Sequence, residues 1–299
     1  MTTPEEGMAA IESRFGSHSR HRALHAKGVI CRATFTATPE AAKLTRAGHM
    51  SGATVETTVR LSNGSGDPTI PDYEPDVRGL ATAFHLPDGT RTDLLSQTLP
   101  RFPFSDERGF FAAMELSHQN FGSLLKLPAF IARYPRAFAA LPEANKVLSR
   151  RASFAARSYF PFHSFNWIDA EGGERYVRYE WRPTVDEPDI AKAEAKRRGE
   201  DYLFEELAGR LEREPVRFEL EVRIAGEGDE VDDPSASWPE DRPRVTVGTL
   251  EVTAIDDGAD DSIIFDPMRL VDGIEASADP VLAYRPGVYD LSYARRTAE

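Results

Sequence analysis

Alternation of apolar and polar positions runs through most of this chain. In PVRFELEVRI (215–224) the residues Val216, Phe218, Leu220, Val222 and Ile224 are apolar. That two-residue period is the mark of a strand with one buried face. YVRYEWR (176–182) repeats it with Val177, Tyr179 and Trp181. GVICRATFTAT (28–38), ATVETTVRLS (53–62), RGLATAFHL (78–86) and the shorter TDLLS (92–96) are β-branched and read as further strands. RVTVGTLEVTAI (244–255) alternates as well, but its apolar set moves from odd positions (Val245, Val247) to even ones (Leu250, Val252, Ala254). The change falls at Gly248 and predicts a β-bulge there.

Other stretches have helical spacing. PEAAKLTRAG (39–48) opens on Pro39 and closes on Gly48, as a short helix would. SDERGFFAAMELSHQ (105–119) predicts a helix capped by Ser105, and LPEANKVLSRRASFAA (141–156) another. PDIAKAEAKRRG ends at Gly199, and DYLFEELAGRLERE then places Leu203, Leu207 and Leu211 four residues apart. The helical block thus interrupts a set of about eight strands. No internal repeat of fixed period and no flexible linker is evident. Residues 1–20 read as a short lead-in in which Ala9, Ile11 and Phe15 form a weak apolar stripe. Residues 21–299 read as a single α+β domain built on a closed antiparallel β-barrel, because closure removes exposed edges.

Composition narrows the partners. The chain of 299 residues has a net charge of −13, which disfavours nucleic acid. No apolar run is long enough to span a membrane. Cys31 is the single cysteine, so no internal disulfide can form; this fits a cytoplasmic location. AGEGDEVDDPSASWPEDRP (225–243) reads as an acidic, solvated loop with little structure of its own. It lacks the ligand spacing of an EF-type calcium site.

Against that acidic background, RHRALHAKG (20–28) stands out as a basic cluster. His25 there can be a core histidine making one hydrogen bond, or an acid–base catalyst, since imidazole titrates near neutral pH. Arg22 can hold an anionic group. At the far end, a helix over 281–296 would put Arg285, Tyr289, Ser292 and Arg296 on one face. A tyrosine between guanidiniums is an unusual core face, and a phenolate is a hard ligand suited to Fe(III). The alternative is a core tyrosine beside solvated arginines. Pro286 and Gly287 predict that this helix starts late or is kinked.

Together the motifs resemble the haem catalases. R-x-x-H-A-K-G at 22–28, V-R-L-S at 59–62, D-x-R-G-x-A-x-x-F at 76–84 and R-x-x-x-Y at 285–289 occur in the family's order. HSFNWIDAEG (163–172) and FDPMRLVDGIEASADPVL (265–282) are similar to connecting pieces of the same core. The resemblance spans Arg22 to Arg296. It implies a catalase-like barrel with a C-terminal haem-ligand helix and a haem b whose iron is held by Tyr289. It further implies that Arg285 bonds the tyrosine oxygen, and that Arg22, Arg60 and Arg296 pair with the propionates. His25 would move the peroxide proton, with Ser62 orienting it. Phe102 and Phe110 would line the pocket, and Leu24 would lie against the haem.

Two departures shape the expected activity. TDLLSQTLPRFPF puts Gln97 where the family places a catalytic asparagine, which implies weak catalase turnover at most. The family's long N-terminal arm and added C-terminal helices have no counterpart here, and Asp290 follows the tyrosine in place of proline. The similarity is therefore greatest to small catalase-related peroxidases. The expectation is a haem peroxidase that reduces hydrogen peroxide or organic hydroperoxides with a small-molecule reductant, homo-oligomer formation being compatible. The alternatives are a hydroperoxide-rearranging or specialised-metabolite enzyme, a non-catalytic haem sensor, and a barrel binding an apolar ligand without haem.

Overall fold

The computed structural model describes residues 2–116, 121–139, 142, 147, 148, 152–259 and 262–298. Its frame is one nine-stranded antiparallel sheet. The strands are β1 (Gly28–Ala37), β2 (Thr54–Asn63), β3 (Arg78–His85), β4 (Arg91–Gln97), β5 (Phe165–Ile168), β6 (Glu174–Pro183), β7 (Val216–Ile224), β8 (Arg244–Ile255) and β9 (Ile274–Ala276). They lie in the order β4-β3-β2-β1-β8-β7-β6-β5-β9. Alternation does its expected work. In β7, Val216, Phe218, Leu220 and Val222 are buried. The core they enter also holds Phe35, Phe84, Tyr159, Trp167 and Trp181.

The expected closed barrel is not formed: the sheet is an open, curled half-barrel, and among the described residues no ladder joins β4 to β9. Closure is unnecessary because single bridges stitch across the curl. Gln97 at the end of β4 bridges Phe160, and the adjacent Tyr159 bridges Trp181 in β6. The Gln97–Phe160 bridge satisfies backbone groups at the β4 edge that a barrel would pair with a strand. β5 and β9 escape alternation analysis because they are short and β5 is buried on both faces. The bulge lies at the predicted place. Leu220 pairs with Gly248 but Glu221 with Thr246, which leaves Val247 as the extra residue. A second shift leaves Thr253 unpaired against β1.

Helices cover one side. α1 (Pro4–Phe15) is fixed by a capping box between Thr3 and Glu6, and it packs on α3 and α8. α2 (Ala41–Leu44) is shorter than the predicted 39–48 helix, whose last residue begins a separate 3-10 turn. α3 (Glu107–Leu116), α4 (Phe121–Arg133) and α5 (Pro135–Ala139) follow β4. Most of the predicted 141–156 helix lies outside the described residues; its end, Phe154–Ala156, is a 3-10 turn. α6 (Lys192–Arg198) and α7 (Tyr202–Leu211) precede β7.

α8 (Pro280–Thr297) starts at the beginning of its segment and runs through Pro286, which removes the late start from the two expectations of a late start or a kink. Asp279 accepts hydrogen bonds from the Val281 and Leu282 amides. Pro280 occupies the first turn, and Val281 and Leu282 are buried. A strong cap and a buried first turn offset the one backbone bond that Pro286 removes. The acidic loop before β8 is also more ordered than its composition suggested. Arg178 donates to the Ala236 and Asp233 carbonyls and lies over the Trp238 ring. Asp229 is paired with Arg242, and Asp233 with Arg136. Among the described residues no group of three or more potential metal ligands stands together, and no helix is long and apolar enough to cross a membrane.

Candidate active site

A row of three small residues on adjacent strands, ending against Gln97 of the fourth, prepares the site. Gly28 pairs with Ser62, Ser62 with Gly79, and Gly79 with Gln97. His25 sits over this row, in the loop before β1. Its Nδ1 lies 3.0 Å from Ser62 Oγ. A Cβ at Gly79 would stand 2.7 Å from His25 Nδ1 and 2.6 Å from Ser62 Oγ, so no larger residue fits beneath the pair. This is the physical reason for glycine in the R-G step at 78–79.

His25 takes φ of 56°, the left-handed region that costs a non-glycine residue energy. Its surroundings hold it there. Its amide donates to Gly64 O, the Ala26 amide to Ser65 O, and Arg60 Nη1 to the His25 carbonyl. The contact with Ser62 occupies Nδ1 and leaves Nε2 as the nitrogen available to the cavity. Burial, followed by the positive charges of Arg60, Arg285 and Arg22, lowers the imidazole to about 3. His25 is therefore neutral across the physiological range.

The opposing group stands on α8. Arg285 Nε donates to the Tyr289 hydroxyl oxygen at 2.7 Å. Its Nη1 lies 2.8 Å from His163 Nε2, and His163 Nδ1 lies 2.5 Å from Asp279 Oδ2. Arginine has no acceptor, so His163 Nε2 must accept and Nδ1 must carry the proton toward Asp279. His163 is held below its ordinary value, first by burial and against the pull of Asp279, which keeps it neutral. Asp279 is at once the helix cap and the end of this chain of contacts. The line Asp279–His163–Arg285–Tyr289 thus aims one tyrosine oxygen with four buried or half-buried side chains.

Both groups line one cavity of about 550 Å³, within the range of small-ligand and cofactor sites. Ser62, Gln97, Phe102, Phe110, Arg22, Arg60, Arg285 and Arg296 line it as well, as does Leu24. Phe102 stacks on Phe162 at 5.1 Å and meets Phe110 at 5.6 Å, giving the cavity an aromatic wall. Gln97 Nε2 donates to the Leu99 carbonyl at 3.2 Å. Arg22 Nη2 donates to Ile263 O, and Arg296 Nη2 to Ser262 O and Ile263 O. The Arg60 guanidinium turns to the His25 and Ala26 carbonyls, where it braces the histidine loop. Asp290 is exposed and does not line the cavity. Ser292 shares the tyrosine's face and accepts from the Ala23 amide at 3.1 Å, tying α8 to the histidine segment.

Sequence reasoning missed His163, Asp279 and Phe162. His163 is 122 residues from its partner Arg285, and no local pattern announces it. Asp279 did carry a signal, an acidic residue before Pro280 at a helix start. α1 lines the cavity through Ile11, Arg14 and Phe15, which gives its weak apolar stripe a purpose.

A histidine above an antiparallel sheet, sharing one apolar cavity with a guanidinium-bonded tyrosine, defines a scaffold of the catalase type. The residues fit a haem: a phenol oxygen aimed by a cation, a neutral imidazole with one nitrogen spare, and aromatic walls. The Catalase family model matches residues 16–298, and the chain belongs to the catalase family, whose members bind haem. It is 42% identical over 301 residues to a "Catalase-related peroxidase" of Mycolicibacterium paratuberculosis, covering 99% of this chain and 95% of that one. A "Catalase-related peroxidase" of Synechococcus elongatus is 34% identical, covering 99% and 89%. "Catalase-2" of Bacillus subtilis is 24% identical over 88% of this chain and only 42% of its own length.

Proposed function

We propose that this protein is a haem b peroxidase that reduces hydrogen peroxide or organic hydroperoxides with an organic donor, and has weak catalase turnover at most. The observation that carries the reading is the opposition of neutral His25 to the Asp279–His163–Arg285–Tyr289 line across one cavity. The similarity to two catalase-related peroxidases over nearly their whole length supports it.

Tyr289 would hold the haem iron, and Arg22 and Arg296, with Arg60 behind them, would meet the propionates. Haem, when bound, supplies the iron that binds the peroxide and relays electrons from the donor. In the overall reaction ROOH takes two electrons and two protons and yields ROH and water. His25 Nε2 takes the proton from one peroxide oxygen and delivers it to the other, so the departing fragment leaves neutral. Burial keeps His25 unprotonated and ready to accept. Ser62 fixes the ring plane through Nδ1. Arg285 donates a hydrogen bond to the Tyr289 oxygen and would stabilise it as an anionic ligand when haem is bound. Gln97 stands at the cavity wall with its amide engaged by Leu99 O, so it is poorly placed to orient a second peroxide. Phe102, Phe110 and Phe162 exclude water.

The test is the absorption spectrum of protein purified with adequate haem supply, together with that of Tyr289→Phe. A high-spin ferric, tyrosinate-type Soret band that Tyr289→Phe loses supports the assignment. No band after incubation with hemin rejects it. Steady-state consumption of peroxide with and without an aromatic donor then separates peroxidase from catalase turnover.

A further inference from the structure

α4 is built unlike the other helices. A helix on a protein surface normally turns its apolar side inward and its charges outward. The inward side of α4 is indeed apolar: Phe130 packs on Phe104 of the cavity wall at 5.9 Å, and Tyr134 just beyond the helix does so at 5.6 Å. Its outward side is apolar too. Leu125 is 69% exposed, Ile131 41% and Leu127 38%, which makes them three of the five large apolar side chains exposed among the described residues. At 100° per residue, Leu125, Pro128, Ala129, Ile131 and Ala132 fall within an arc of about 160°. Among the described residues nothing covers this second face.

Charge says what occupant that face fits. α4 has no acidic residue, and Lys126 and Arg133 stand beside the apolar arc, 68% and 67% exposed. Arg136 in α5 is held by Glu230 and Asp233 and does not extend this edge. In the sequence, residues 117–151 hold six lysines and arginines against a single glutamate, Glu143, in a chain whose net charge is −13. The net charge of −13 opposes a second copy and an anionic surface alike, so the local cationic edge of α4 decides between them. An exposed apolar arc edged by cations matches a negatively charged lipid surface. Lys126 pairs with Glu115, and Arg133 with Asp106 at 3.4 Å. Both heads are mostly solvent-exposed, so these pairs are weak and can yield to lipid phosphates.

We propose that α4 docks this protein on anionic bilayers, with Leu125 and Ile131 entering the interfacial layer and Lys126 and Arg133 meeting lipid phosphates. The docked face backs on to Phe104, so it places the cavity next to the lipid. The proposal does not depend on the haem assignment.

The experiment is flotation of the full-length protein with phosphatidylcholine vesicles, with and without phosphatidylglycerol, at low and high salt. Leu125→Ser/Ile131→Ser and Lys126→Gln/Arg133→Gln are run alongside. The substituted side chains are exposed, and circular dichroism checks that both variants fold. The expected result is salt-sensitive flotation with phosphatidylglycerol only. The apolar variant should lose it on the order of a hundredfold, and the cationic variant should lose the preference for phosphatidylglycerol. No flotation with either vesicle, or flotation undiminished in the apolar variant, overturns the proposal. Concentration-dependent dimerisation of the wild type that the apolar variant abolishes assigns the face to a second copy and overturns it too.

Discussion

The two walls of the cavity are made specific by different means. On the sheet side, His25 is placed by backbone and by empty space. Its loop is held by main-chain bonds to Gly64 and Ser65, and its ring is admitted by the missing side chain of Gly79. On the helix side, Tyr289 is placed by other side chains, each holding the next, back to the cap of α8. Space tolerates almost no substitution. A chain of side chains fails by degrees, because each member can be weakened without being removed.

His25→Ala tests the sheet side most severely. The variant should still bind haem, and its rate of peroxide cleavage in stopped flow should fall by about 10²–10⁴-fold. An unchanged rate would remove the acid–base role. Gly79→Ala attacks the same wall through packing alone. The added methyl should cost about 1–3 kcal/mol in chemical denaturation and displace the imidazole. A variant of wild-type stability and rate would show that the space beneath His25 is not limiting.

Asp279→Asn probes the helix side. Asparagine keeps the cap but removes the charge that fixes His163, so stability should change little. Haem affinity or peroxidase activity should drop about 10–100-fold, with a shifted Soret band. A spectrum identical to wild type would break the link between cap and ligand.

pH sharpens the contrast further. His25 is pushed from an ordinary 6.5 to about 3, so the rate of peroxide cleavage should stay level as pH falls through 6.5. The unfolded chain binds this proton more readily. Stability from the depressed group is therefore complete above pH 6.5 and is lost progressively as pH falls toward about 3. A rate that drops with an apparent value near 6.5 would show that His25 is solvated in the working enzyme. The smallest effect expected is from Gln97→Asn, a modest rise in oxygen evolution from hydrogen peroxide. No rise, with peroxidase activity intact, would move the second-peroxide contact to another residue.

The same contrast decides what could be read in the sequence. His25 and Ser62, 37 residues apart, are singled out by the family resemblance of their motifs, whereas Arg285 and Tyr289 stand one helical turn apart, so spacing alone brings them together. Alternation revealed β7 and the phase change at Gly248 for the same reason. His163 touches Arg285 from another part of the chain, and no period connects them. The open sheet was misjudged as a barrel because strand count and alternation do not encode closure. What links the two ends of the curl is the pair of bridges at Tyr159 and Phe160, in a stretch with no two-residue alternation.

The hydrogen bond from the Ala23 amide to Ser292 spans 269 positions. It joins the segment that carries the histidine to the helix that carries the tyrosine, and nearly the whole sheet lies between them in sequence. Contacts of such separation form only once the intervening loop has closed. The cavity therefore exists as a product of completed folding and has no local precursor. A bound chromophore that touches both walls would act as a gauge of the whole fold: its signal should vanish together with far-ultraviolet dichroism during denaturation, in one transition, rather than fade ahead of it.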